Sequence, residues 1–105
     1  MTKLKELGVT GTKVSDAGLA HLKGLHQLER LWCGETAVGD AGLAHLKRMA
    51  KLQQINLNDT QVSDKGLEIL KGLNDLRWVN LIGTKVSDAG VTGLQKALPK
   101  IQILR

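Results

Sequence analysis

Four stretches decide the fold: TKVSDAGL at 12–19, TAVGDAGL at 36–43, TQVSDKGL at 60–67 and TKVSDAGV at 84–91. Their threonines, Thr12, Thr36, Thr60 and Thr84, stand 24 residues apart. A fixed period of roughly 20–50 residues marks a chain built from one supersecondary unit stacked on copies of itself. Each unit is too short to bury its own apolar side, so the copies must share one continuous core. Such a stack encloses no pocket by default. It offers one long surface instead.

Upstream of each threonine lies the pattern apolar-x-x-apolar-x-apolar. It reads Leu4/Leu7/Val9, Leu28/Leu31/Cys33, Leu52/Ile55/Leu57 and Leu76/Val79/Leu81. Apolar residues at i and i+2 make a half-buried strand. This predicts short strands near 5–9, 29–33, 53–57, 77–81 and 101–104. In the last of these the inserted residue of LQKALPK shifts the pattern to Ile101/Leu104. Downstream, Ser15, Ser63 and Ser87, each followed by Asp, read as helix N-caps. Gly39 stands at this place in the second unit, which passes the cap to Asp40. Leu19, Leu22 and Leu25 then mark the apolar face of a short helix. Gly18, Gly42, Gly66 and Gly90 fall in the first helical turn, where glycine costs about 1 kcal/mol relative to alanine. Close approach of a neighbouring unit is the expected compensation. The units are residues 4–27, 28–51, 52–75 and 76–100, with a final strand at 101–105, all in one domain. Each helix returns the chain so that the next strand runs parallel to the last.

The pattern LxxLxLxxTxVSDxGLxxLKxL resembles the leucine-rich repeat family. It is most similar to the 24-residue bacterial type and related to the cysteine-containing repeats. The resemblance covers the whole chain. It implies an α/β solenoid: a short right-handed horseshoe arc, a parallel sheet on the concave face and short helices on the convex face. It also implies non-catalytic recognition of a protein or peptide on the concave sheet, and it brings no catalytic motif. The usual Asn or Cys of the family pattern is threonine here.

The strand positions that point away from the core form three columns. The first holds Glu6, Arg30, Gln54, Trp78 and Ile103. The second holds Gly8, Trp32, Asn56, Asn80 and Arg105. The third holds Thr10, Gly34, Asn58 and Ile82. The chain has only two Trp and no Phe or Tyr, and both Trp fall on this surface. Exposed Trp flanked by Arg and amides is the composition of a binding hot spot. The candidate binding residues are therefore Arg30, Trp32, Gln54, Asn56, Asn58, Trp78, Asn80 and Ile82. Strand spacing places the two tryptophans roughly 12 Å apart and solvent-exposed.

Other chemistries find little support. His21 and His45 repeat the same helix position and face solvent too far apart for a metal pair. Cys33 takes a core strand position, where a thiol behaves as a small hydrophobe. One cysteine forms no internal disulfide. The net charge of +5 is spread over turns and helix ends, with Lys23, Lys47 and Lys71 at one recurring position. Nucleic-acid binding requires a clustered basic face, so none is expected. No phosphate loop, Ser-His-Asp set or carboxylate pair stands out, and no cofactor is implied. No apolar run reaches the roughly 18 residues of a membrane-spanning helix, and the N-terminus lacks the apolar segment of a signal peptide. The reading therefore favours the cytoplasm and no membrane. The chain also opens in mid-unit, leaving room for upstream sequence. The uncovered first strand is a template for a weak homodimer. Two further roles remain open: a scaffold or designed repeat with no ligand of its own, and the substrate-recognition part of a ubiquitin-ligase-like adaptor.

Overall fold

The computed structural model describes residues 4–22 and 24–105; the lysine read at position 23 lies outside them. Strand and helix alternate along the chain: β1 (Glu6–Gly8), α1 (Asp16–Leu19) with a 3-10 turn at Ala20–Leu22, β2 (Arg30–Trp32) and α2 (Asp40–Ala44). Then follow β3 (Gln54–Asn56), α3 (Asp64–Leu70), β4 (Trp78–Asn80), α4 (Asp88–Ala97) and β5 (Gln102–Leu104). The strands form one parallel sheet in chain order, β1-β2-β3-β4-β5. Strands sit about 4.8 Å apart and packed helices about 8–10 Å. A stack with a strand on one side and a helix on the other must therefore curve, with the sheet on its inner face. No helix among the described residues is long and apolar enough to cross a membrane.

The core follows the period. Leu31, Ile55 and Val79 are the inward residues of three-residue strands, and Cys33, Leu57 and Leu81 follow just beyond them, all buried. Leu19, Leu43 and Leu67 enter from the helices, and Leu25, Met49 and Leu73 from the turns after them. Burial is nearly complete in the central units. At the N-terminal end Leu4, Leu7, Val9 and Leu22 are only partly covered. This is the expected asymmetry of a stack whose end units have one neighbour rather than two.

Each threonine closes its own turn. Thr12, Thr36, Thr60 and Thr84 donate Oγ1–H to the carbonyls of Val9, Cys33, Leu57 and Leu81 at 2.6–2.7 Å. Thr36 and Thr60 are buried, and a buried hydroxyl without that bond would cost roughly 1–3 kcal/mol.

Ser15, Ser63 and Ser87 stand at the N-cap positions as expected, but the capping bonds are mostly not made. Asp40 does not take over the cap; Gly39 itself is the N-cap, and only Ser87 accepts a capping bond, from Gly90 N–H at 3.1 Å. Each Asp instead reaches forward to the next unit. Asp16 accepts from Gly39 N–H at 2.6 Å, Asp40 from Ser63 N–H at 2.8 Å and Asp64 from Ser87 N–H at 2.7 Å. The hydroxyls of Ser63 and Ser87 donate to the same carboxylates. The Ser87 bonds hold the Asp64 carboxyl below its ordinary range. Asp88 has no following Ser and pairs instead with Arg105.

This forward reach explains the helical glycines Gly42, Gly66 and Gly90, whereas at Gly18 the close neighbour is Val14 of the same unit. A Cβ at Gly42 would lie 2.5 Å from Asp16 Oδ1, and one at Gly66 would lie 2.5 Å from Asp40 Oδ1 and 2.9 Å from Leu43 Cδ1. The close neighbour is thus chiefly the preceding unit's aspartate side chain.

The C-terminal register departs from expectation. Ile103 pairs with Val79 and turns inward, while Gln102 and Leu104 take the outward columns opposite Trp78 and Asn80. Ile103 and Arg105 are therefore not concave-column residues. The inserted residue lengthens the helix end, and one residue fewer separates Ile101 from Ile103 than separates Leu76 from Val79. The two changes cancel within the strand.

Cys33 is fully buried, and burial pushes its thiol up to about 12. The nucleophile is the thiolate, so native protein should resist a thiol reagent at neutral pH. The urea-unfolded chain should label stoichiometrically. Rapid native labelling would contradict the placement.

Candidate functional site

The sheet register brings the candidate residues into rows. Glu6, Arg30, Gln54 and Trp78 are aligned across β1 to β4, and Gly8, Trp32, Asn56 and Asn80 form the parallel row. Side chains in such rows alternate with the buried Leu7, Leu31, Ile55 and Val79, so they stand on the concave face.

The tryptophans touch. Trp32 on β2 and Trp78 on β4 have ring centroids 5.8 Å apart at an interplanar angle of 64°, an edge-to-face pair. The expected separation of roughly 12 Å describes the backbone. The two indoles lean toward one another across β3 and close that gap. Both are consequently half-buried rather than freely exposed. An aromatic pair of this geometry contributes about 0.5–1.5 kcal/mol beyond its area.

A polar clamp holds one ring. Trp32 Nε1–H donates to Glu6 Oε2 at 2.5 Å, and Arg30 Nε lies 3.5 Å from Glu6 Oε1. The Trp32 bond chiefly holds the Glu6 carboxyl below its ordinary value, against an opposing desolvation effect and with a lesser contribution from Arg30. The edge of Trp32 also packs over Gly8, where a Cβ would meet the ring at 3.8 Å. Glu6 was legible only as a member of the first column. Its role in orienting Trp32 depends on a contact between adjacent columns on adjacent strands.

The amides divide in function. Asn56 Oδ1 accepts from Asn58 N–H and Asn80 Oδ1 from Ile82 N–H, each at 3.0 Å. These bonds fix the strand exits. Asn58 donates Nδ2–H to Asp59 at 3.0 Å and lies over Gly34, where any Cβ would collide with it. Asn58 thus serves the turn. Gln54 lies between Arg30 and Trp78 in its row. Ile82 is 48% exposed and Leu104 is 42% exposed. Leu104, opposite Asn80, joins this face because of the corrected register. The face therefore has an ionic corner at Glu6 and Arg30, an aromatic centre, and an apolar end at Ile82 and Leu104.

Lowering the pH should report on the clamp. A depressed carboxyl stays charged below the ordinary glutamate value of about 4.3. Trp32 emission should therefore hold steady through that range and change only as Glu6 protonates beneath it. Glu6→Gln should abolish the step. A transition at or above the ordinary value in the wild type would contradict the clamp.

No family model and no curated protein matches the sequence. Solved structures do match. An internalin from Listeria monocytogenes superposes over 99% of this chain with TM-score 0.64 and 22% identity. A leucine-rich repeat protein of Leptospira interrogans superposes over 97% with TM-score 0.58 and 14% identity. The fold is a leucine-rich repeat solenoid. Leiomodin-1 actin-binding site 2 superposes over 98% of this chain, with TM-score 0.74 and 15% identity. The solenoid spans 35% of the internalin, 37% of the Leptospira protein and 70% of the leiomodin chain. At these identities the likeness establishes the architecture. Among the described residues, no group of three or more His, Cys, Asp or Glu is placed to hold a metal ion.

Proposed function

We propose that this chain is a non-catalytic protein-interaction module of the 24-residue bacterial leucine-rich repeat type. It acts as one domain, with units 4–27, 28–51, 52–75 and 76–100 and the final strand at 101–105. A protein or peptide partner lies on the concave sheet, anchored by Trp32 and Trp78 and bordered by Arg30, Gln54, Asn80 and Ile82. The observation that carries this reading is the contacting tryptophan pair. Two large rings on a solvent-facing sheet, one of them held by Glu6, have apolar surface for a partner to bury. Two of the three structures described above are bacterial, and the third is an actin-binding segment. These support a protein partner and a bacterial type. The cytoplasmic placement belongs to the same proposal. A photo-crosslinking residue at Gln54, in the chain's native cells, should yield one discrete adduct. The same residue at Ala41, exposed on α2, should yield none. An adduct from Ala41 alone would overturn the reading.

A second reading has its own observation. Among the described residues β1 stands at the sheet edge, and its Leu7, with Leu4 and Val9 on either side, is only partly covered. An uncovered edge pairs readily with another chain, and two copies meeting there form a self-complementary, two-fold interface. We infer a weak homodimer through this edge. Sedimentation equilibrium should show a concentration-dependent dimer that Leu7→Lys abolishes. A strict monomer at millimolar concentration would contradict it.

A further inference from the structure

Stacking of the first two units forms an open cleft away from the sheet. Its volume is about 680 Å³, and Gly24, His26, Ala44, His45, Lys47 and Arg48 line it. Four of the six carry basic side chains and none is acidic. Among the described residues, none of the four forms an ion pair. The volume lies in the range of small-molecule sites, roughly 300–1,000 Å³.

The geometry points to a binding site for a phosphoryl anion, such as a pyrophosphate or phosphomonoester group, in this cleft. Arg48 presents a planar fork of donors matched to phosphate oxygens, Lys47 a mobile point charge, and the imidazoles further ring donors. Basic residues near a helix end have a plainer explanation, since they complement the helix dipole. That explanation applies equally to the third unit, and there the sequence differs. Residues 44–51 read AHLKRMAK, whereas 68–75 read EILKGLND. The lysine of the third unit, Lys71, is held by Glu68 at 2.5 Å. The second unit's helix end lacks the acidic residues that the third unit's carries. α2 has five residues, so the partial negative charge of its end is small beside four basic groups.

Gly24 supports the same reading. Its backbone is not in the left-handed region, and a Cβ there would meet nothing within 4 Å. Neither backbone nor packing requires glycine at this position, and a larger side chain would project into the cleft. The site is thus open where the fold would tolerate it filled.

Titrating pyrophosphate at constant ionic strength, with amide NMR as readout, tests the site on the whole chain. Shifts should saturate with a midpoint below about 1 mM and should centre on Gly24 and residues 44–48. Lys47→Glu/Arg48→Glu should weaken binding at least tenfold. Lys13→Glu/Lys85→Glu makes the same change in net charge on distant turns and should leave binding unchanged. Gly24→Leu should block it without altering charge, with an unchanged melting curve showing the fold intact. Phosphoinositide-containing vesicles distinguish the source: vesicle binding displaced by pyrophosphate assigns a lipid headgroup, and pyrophosphate binding alone assigns a soluble ligand. Non-saturating shifts, or equal losses in both charge-reversal pairs, would overturn the site.

Discussion

Gly66→Ala should destabilise the protein by roughly 2 kcal/mol, within the range for overpacking a filled interior. The sign is the informative part. In an exposed helix, alanine is better than glycine by about 1 kcal/mol. Here the added methyl would lie 2.5 Å from Asp40 Oδ1 and 2.9 Å from Leu43 Cδ1. Leu43 is fully buried and has no room to withdraw. Asp40 can withdraw only by releasing Ser63 N–H and Oγ–H. That would leave a partly buried carboxylate and an amide without their partners, which costs further. Gly24→Ala is the control. With nothing within 4 Å of its Cβ, it should be neutral or stabilise by up to about 1 kcal/mol through the unfolded chain. Urea melts of the two variants measure the contrast. A stabilised Gly66→Ala would mean that the aspartate contacts between units do not hold the stack.

Trp32→Ala/Trp78→Ala should weaken partner binding by about 100-fold or more. Truncating one hot-spot residue costs about 2 kcal/mol or more, near 30-fold. The two rings touch at 5.8 Å, so the double variant should fall short of the product of the singles. Glu6→Ala should cost less, because it releases the Trp32 indole without removing it. The rings are only half-buried and lie outside the apolar core, so the double variant should keep the cooperative unfolding of the wild type. A double variant that folds normally and binds with unchanged affinity would remove the concave face from the account.

The fold was legible because a 24-residue period repeats every signal at once: the strand pattern, the threonine turn, the helix start and the glycine. What escaped the sequence were contacts between units. Ser-Asp reads as a local cap because capping is a three-residue relation, yet Asp64 bonds a residue 23 positions away. Gly66 could be recognised as costly, but not that an aspartate oxygen would occupy its space. The tryptophan spacing came from strand positions, and strand positions carry no information about which way a ring leans. The C-terminal register was misread because an insertion and a deletion, each of one residue, cancel over a few positions. That put Ile103 outward and hid Leu104 from the candidate face. Arg30, Gln54 and Asn80 were placed in their rows by arithmetic alone. Which of them remains available to a partner depends on hydrogen bonds such as Asn80 to Ile82 N–H.

The chain has only two Trp, so its indole N–H resonances are a two-signal report on the proposed surface. Adding the partner captured at Gln54 to isotope-labelled protein should shift both indole signals, saturating together with the binding isotherm. Backbone amides of α2 and α3 should stay in place. Complex formation that leaves both indole signals unmoved while the helix amides shift would contradict recognition through the concave sheet.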